Sequence, residues 1–268
     1  MLIPKAILPR EHGAWGVLFI PLAVGAFIAG NMSWNILLLA FSTLGVFMAS
    51  VPLQLILRHR NVSPQDSEKH HQSRRWATVH LAAGSGFLIP LLLQGYTLLL
   101  IIGAFGVAVF VAHVVLVTRY GKSIATDMLA LAGLALSVLS AYYVGTHTID
   151  LKAIVLWILN VLFFGCSVVY VHMKMKALPI RQTGIHLTEK LSIGKLNILY
   201  HIGILCCVPL LALLAESSQG ILMAFLPMVV HAVYGTFQLS RRVRFKRLGF
   251  ILLGYSIWFG MVLSRVIT

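Results

Sequence analysis

A chain of 268 residues that is 59% hydrophobic, only 10% charged and has a mean hydropathy of +0.91 cannot be a water-soluble domain; such domains carry roughly 25% charged residues. Its net charge of +14 leaves two ordinary explanations, nucleic-acid binding or the sorting of positive charge to one side of a membrane. The Lys and Arg residues stand in short connections between apolar runs and form no aromatic-interleaved basic stripe, which excludes nucleic acid as a partner and leaves the lipid bilayer.

Nine apolar runs of about 20 residues, the length needed to cross a bilayer, follow one another. The first, about Ala14 to Gly30, is entered through Glu11-His12-Gly13-Ala14-Trp15. Two readings of that entry stand side by side: proton handling by Glu11 and His12, or interfacial anchoring by Trp15. Basic residues precede this run as in a signal peptide, but further spans follow it, so it reads as a retained first helix. Trp34 to Leu57 leads into a long connection, Arg58 to Arg75, that carries Arg58, Asn61 and Asp66. Trp76 to Leu93 and Thr97 to Val117 come next, followed by a short connection with Arg119 and Lys122. The fifth run, Ile124 to Gly145, has Asp127 about one turn inside it. Leu151 to Met173 ends on His172 and opens the second long connection, Lys174 to Lys195. Leu196 to Ala215, Gly220 to Leu239 and Leu248 to Ile267 complete the set.

Lipid offers no partner to backbone N–H and C=O groups, so each run must be a helix or part of a closed barrel, and unbroken hydrophobicity selects the helix. The expectation is an all-α polytopic membrane protein, one domain over residues 1–268. An N-terminus in the cytoplasm places all of the 21 Lys and Arg residues except Lys152 and Arg265 on the inner side. Nine spans then leave the C-terminus outside. This is the pattern of a multi-pass protein of a bacterial inner membrane. The two long inner connections follow spans two and six, an offset consistent with a duplicated four-helix unit plus a ninth helix.

Of only seven acidic residues, Asp127 lies within a span, where an ionisable group usually faces a bundle interior or a wet cavity. It also suits a plain role as an acid at a helix N-terminus. His80, His113, His172 and His201 all map to inner span ends; they suit haem or a metal ion, or simple hydrogen bonds between helices, and no HxxxH or Cys/His spacing selects a ligand set. Arg58, Arg119, Lys122 and Lys174 converge at the inner face, where they would hold a phosphate or serve only to set topology. The run Arg241-Arg242-Val243-Arg244-Phe245-Lys246-Arg247 reads as an orientation signal and lipid contact. Cys166, Cys206 and Cys207 lie in apolar runs without metal or disulfide spacing and read as buried small hydrophobes.

The opening Arg10-Glu11-His12-Gly13-Ala14-Trp15 resembles the start of the YwiC-like family of bacterial membrane proteins, a resemblance that implies no particular chemistry. A more distant likeness covers most of the chain. Nine helices with long inner loops after spans two and six are similar to UbiA-type prenyltransferases. Arg74-Arg75-Trp76-Ala77, Tyr120-Gly121-Lys122 and Ala177-Leu178-Pro179-Ile180-Arg181 resemble segments beside that family's two motifs. The resemblance implies a UbiA-like bundle in which Asp-rich loops hold Mg²⁺ and the diphosphate of an isoprenyl donor. Here the first motif region offers Leu57, Arg58, Asn61 and Gln65, with Asp66 and Glu68 nearby, and the second offers Tyr170, His172, Lys174 and Lys176. Mg²⁺ remains possible as a cofactor, but it wants carboxylate oxygens, which these degenerate motifs do not supply as two clusters.

The resulting expectation is a protein that binds or modifies an isoprenoid or quinone-type lipid at the cytoplasmic face, prenyl transfer being the first reaction to consider. Arg58, Arg119, Lys122 and Lys174 would hold an anionic head group, while Glu11, His12, Asn61, Asp66, Asp127 and His172 would supply polar or proton-handling contacts. The rival class is a non-enzymatic binding or assembly protein, or a small-molecule transporter.

Overall fold

The structure, a computed structural model, describes residues 12–58, 67–178, 186–214, 220–239 and 244–267. Most of those residues are helical, with no strand among them. In chain order the helices are α1 (His12–Ile28), α2 (Trp34–Arg58), α3 (Ser67–Leu93), α4 (Leu98–Tyr120), α5 (Ile124–Leu134), α6 (Leu136–Thr146), α7 (Leu151–Ala177), α8 (Leu187–Leu214), α9 (Ile221–Phe237) and α10 (Phe245–Val266). Seven units are long and apolar enough to cross a bilayer: α2, α3, α4, α5 with α6 as one interrupted span, α7, α8 and α10. Gly13–Ile28 and Ile221–Phe237 are shorter apolar helices.

The helices exceed the apolar runs where the sequence carries charge. The expected starts at Trp76 and Leu196 move back to Ser67 and Leu187, so much of each long connection is helix. The added turns hold the straight-chain helix formers Lys69, Gln72, Lys190 and Lys195, and Glu68 and Glu189 sit in their first turns, where a negative charge complements the helix dipole. Hydrophobicity measures what lipid tolerates; helix propensity does not stop at the membrane surface.

Buried side chains form two groups joined through α1 and α6. Leu22 and Ala26 of α1 pack with Ile36, Leu39, Leu91, Leu99 and Leu136. Val24 of the same helix packs with Phe163, Ile204, Phe225 and Phe259 of the C-terminal helices. Ser137 donates to the Leu18 carbonyl at 2.9 Å, fixing the α1–α6 crossing. The central helix is α7, whose most apolar stretch is 56% buried against 17% in α4. The remainder of α4 is a face of exposed Ile101, Phe105 and Val107, as expected for a helix against acyl chains.

The closest helix pair is α2 with α3. A Cβ placed on Gly45 would come within 2.6 Å of the Gly84 Cα, so the two backbones meet where neither carries a side chain. With no hydrophobic drive between helices in lipid, such small-residue contacts supply the packing. Pro21, Pro52, Pro90, Pro209 and Pro227 lie inside helices, as membrane bundles tolerate. Cys166 is buried as expected, whereas Cys206 and Cys207 are exposed on α8.

Interhelical contacts define the two ends. At one end Asn35 donates to Gln94 at 2.9 Å and Tyr142 donates to Asp150 at 2.9 Å. At the other end lie the start of α5, the ends of α7 and α9 and the start of α10, together with most of the described Lys and Arg residues. We call it the basic end.

Candidate functional site

Two polar constructions occupy the basic end, on opposite sides of α7. The first begins at the α5 N-terminus. Ser123 is extended at the N-cap; its hydroxyl accepts from the Thr126 amide at 3.3 Å while its own amide donates to Thr126 Oγ1 at 2.9 Å, a reciprocal capping box. The Thr126 carbonyl accepts from His113 Nδ1 at 2.9 Å, which ties α4 to α5 and fixes that tautomer. Asp127 is thereby held in the first turn, and its Oδ2 lies 2.8 Å from His172 Nε2 on α7. The structure thus joins two of the candidate residues. Beyond His172, the side chains of Lys176 and Asn197 border a void of about 10 Å³, close to the volume of one water probe.

This pair bridges helices at a half-exposed position, with side chains 16% and 31% accessible. Asp127→Asn is expected to lower stability by only about 1 kcal/mol. A double-mutant cycle with His172→Gln, read by thermal unfolding in detergent, should recover a coupling of that order.

The second construction is built around Lys174, two residues beyond His172 and therefore about 200° around the helix. Its side chain is buried, 4% exposed, in a bundle where an unpartnered ammonium is costly. Nζ donates to the Gly235 carbonyl at 2.7 Å and to the Gln238 carbonyl at 3.1 Å, and lies 5.6 Å from the centre of the Tyr170 ring. It caps the C-terminus of α9 from a neighbouring helix, where the dipole favours a cation. Gly235 is required there: a methyl group at this position would fall on the Tyr170 ring.

Beside Lys174 opens a cleft of about 180 Å³ between α7, α9 and α10, lined by Tyr170, Lys174, His231, Gln238, Arg244 and Arg247, among others. Among the described residues, three fixed cations and no carboxylate line it. Arg244 is the N-cap of α10, and Lys246 and Arg247 follow in a first turn without an acid. Cations at the positive end of a helix dipole oppose it, and that arrangement favours an anion in front of the helix. His231 stands at the cleft wall with Nδ1 3.2 Å from the Tyr255 hydroxyl and its ring 4.9 Å from Tyr170. Its Nε2 is buried without a partner among the described residues.

Among the other candidates, Arg119 lies in the last turn of α4 and is exposed, and Lys122 is exposed in the turn before α5. Neither lines the cleft with Lys174. Glu11, Asn61 and Asp66 lie outside the described residues, as do the side chains of His12 and Arg58. The sequence gives no separate signal for His231 and Tyr255, and it assigns Arg244 and Arg247 to membrane orientation and lipid contact. An isolated histidine within the eighth run is the nearest thing to one. Among the described residues no three His, Cys, Asp or Glu side chains converge on a common point, and the cations of the cleft oppose a divalent ion, so these residues do not fit a Mg²⁺ centre.

The fold and the site together define an all-α integral membrane protein with an anion-suited cleft at its basic end. The chain belongs to the YwiC-like family, whose model matches residues 8–142, the stretch that contains the Arg10 to Trp15 opening. An uncharacterized protein of Haemophilus influenzae is 23% identical over 233 residues, 86% of this chain and 87% of that one. The uncharacterized protein YwiC of Bacillus subtilis is 35% identical over 60 residues, 22% of this chain and 25% of that one. No solved structure matches the chain. The family match ends in α6, so it includes Asp127 but leaves the α7–α9–α10 cleft beyond it.

Proposed function

We propose that the protein binds an isoprenoid-type lipid with an anionic head group, taken from the cytoplasmic leaflet into the cleft between α7, α9 and α10. The observation that carries this reading is the conjunction of buried Lys174 with Arg244 and Arg247 around a cleft that no carboxylate of the described residues lines. A volume of about 180 Å³ suits a head group rather than a whole lipid; complete small-molecule pockets run to roughly 300–1,000 Å³. The chain of the lipid would lie along the exposed apolar residues of α9 and α10, such as Tyr234 and Phe250.

The isoprenoid class comes from the resemblance to UbiA-type proteins. A quinone-type ring is uncharged and makes poorer use of three cations, so the phosphate-bearing isoprenoid is the better occupant. Cytoplasmic placement follows from the concentration of Lys and Arg at this end. Binding is the function supported here, because the cleft lining supplies cations and hydrogen-bond donors but no carboxylate to act as a base or metal ligand.

Farnesyl phosphate and farnesol, added separately to the delipidated protein and followed by native mass spectrometry, test the reading. Farnesyl phosphate should form a stoichiometric adduct, farnesol should not, and Arg247→Glu should weaken the adduct by about tenfold or more. Arg247 is exposed, so the substitution spares the core. Equal retention of both probes by both proteins would refute the cleft as an anionic-lipid site.

A further inference from the structure

Resting on that lipid-binding reading, we infer that His231, oriented by Tyr255, is a specificity-determining residue that makes the cleft selective for a lipid ending in a phosphate monoester over one with a phosphodiester head group. His231 comes from α9 and Tyr255 from α10, so the two helices that form the cleft also set the imidazole. When the Tyr255 hydroxyl donates to Nδ1, the ring proton resides on Nε2. When the ring is doubly protonated, Nδ1 donates to the hydroxyl and Nε2 still carries a proton. An anion in the cleft favours both of these states over the tautomer with a bare Nε2. In each of them the buried Nε2–H has no acceptor among the described residues and is left for a head-group oxygen that reaches His231 at the cleft wall.

Charge selects the kind of oxygen. Lys174 spends two of its three N–H groups on the Gly235 and Gln238 carbonyls and keeps one for the cleft. Arg244 and Arg247 add two guanidinium forks. A phosphodiester carries one negative charge and two unesterified oxygens, which leaves more of the cationic charge unmatched. A terminal phosphate carries about −1.5 to −2 charges at neutral pH and three acceptor oxygens. Its added charge and third oxygen match the cations and leave an acceptor for His231. The Tyr170 ring fixes one side of the imidazole, so Nε2 cannot swing away to another acceptor without leaving Tyr255.

The test uses two lipids with identical chains. Dioleoyl phosphatidic acid and dioleoyl phosphatidylglycerol are titrated separately into the delipidated protein at pH 8 and read by native mass spectrometry. The wild type should favour phosphatidic acid by about tenfold. Tyr255→Phe and His231→Leu should bring the preference to within about threefold, whereas His231→Gln, which keeps a donor, should restore part of it. Thermal unfolding of each variant verifies that it is folded, and Tyr255→Phe removes only a hydroxyl.

Equal binding of the two lipids by wild type, with both lost in Arg247→Glu, would overturn the role of His231 while leaving the lipid-binding cleft intact. Binding of neither lipid above the level of Arg247→Glu would overturn the role of His231, and loss of farnesyl phosphate binding as well would overturn both. Glycerol 3-phosphate, the head group without acyl chains, separates the two sources of a monoester. If it displaces phosphatidic acid at equal concentration, phosphate recognition by His231 stands, but the occupant is a soluble ester and not a lipid.

Discussion

Replacing Lys174 with Met should destabilise the protein by about 2–3 kcal/mol and abolish farnesyl phosphate binding together. The lost ammonium leaves the Gly235 and Gln238 carbonyls at the end of α9 without their donor, in a bundle interior that offers little water. Met keeps the length and most of the volume, so the effect reports the charge and hydrogen bonds rather than a cavity. The same substitution removes the deepest cation of the cleft, which makes its binding defect larger than that of exposed Arg247→Glu. Thermal unfolding in detergent and native mass spectrometry with farnesyl phosphate read the two effects separately. A variant that melts like wild type would mean that α9 does not depend on Lys174. Retained binding in a destabilised variant would remove Lys174 from the site.

The second large effect is an all-or-none difference in accessibility. Single cysteines at Ser67 and His186, both at the basic end, should react with a membrane-impermeant maleimide only after the cell envelope is opened. A cysteine placed beyond Ile267 should react in intact cells. Labelling is performed in a background with Cys206 and Cys207 replaced by Ser, because both native thiols are exposed on α8. The expected orientation follows from the distribution of Lys and Arg between the two ends. Reaction at Ser67 or His186 in intact cells would invert the assignment and move the cleft to the outer leaflet.

What the sequence revealed depended on how local the cause was. Helices and their order were legible because unbroken apolar runs have one solution in lipid. Their true starts at Ser67 and Leu187 were not, because those turns are polar and helical by local propensity and dipole. Asp127 was legible because only seven acids exist and it lies within a span, and His172 because it ends the sixth run at the second long connection. Their contact at 2.8 Å depends on the packing of α5 against α7.

Lys174 was grouped with Arg58, Arg119 and Lys122 by closeness to the same membrane surface, to which His172 also maps. Helical geometry separates it from His172, since neighbours two apart face opposite ways. Its real company, Gly235, Gln238, Arg244 and Arg247, lies more than sixty residues along the chain, and no spacing rule reaches that far. His231 and Tyr255 escaped notice because an isolated histidine and an isolated tyrosine acquire meaning only when two helices bring them together.

The way α1 is shared between the two packed groups has a consequence for how the protein is made. Its flank toward α10 is closely fitted: a methyl on Gly260 would lie 3.3 Å from both Ile20 and Val24. Yet α10 is synthesised more than two hundred residues after α1, which at about 5–20 residues per second is a delay on the order of tens of seconds. During that interval the α2–α3 pair can close through Gly45 and Gly84, because both partners emerge in succession. The flank of α1 that awaits Phe259 must instead rest against lipid or the insertion machinery. A ribosome stalled before α10 would therefore hold a chain whose N-terminal hairpin is already assembled while its first helix still lacks its last neighbour.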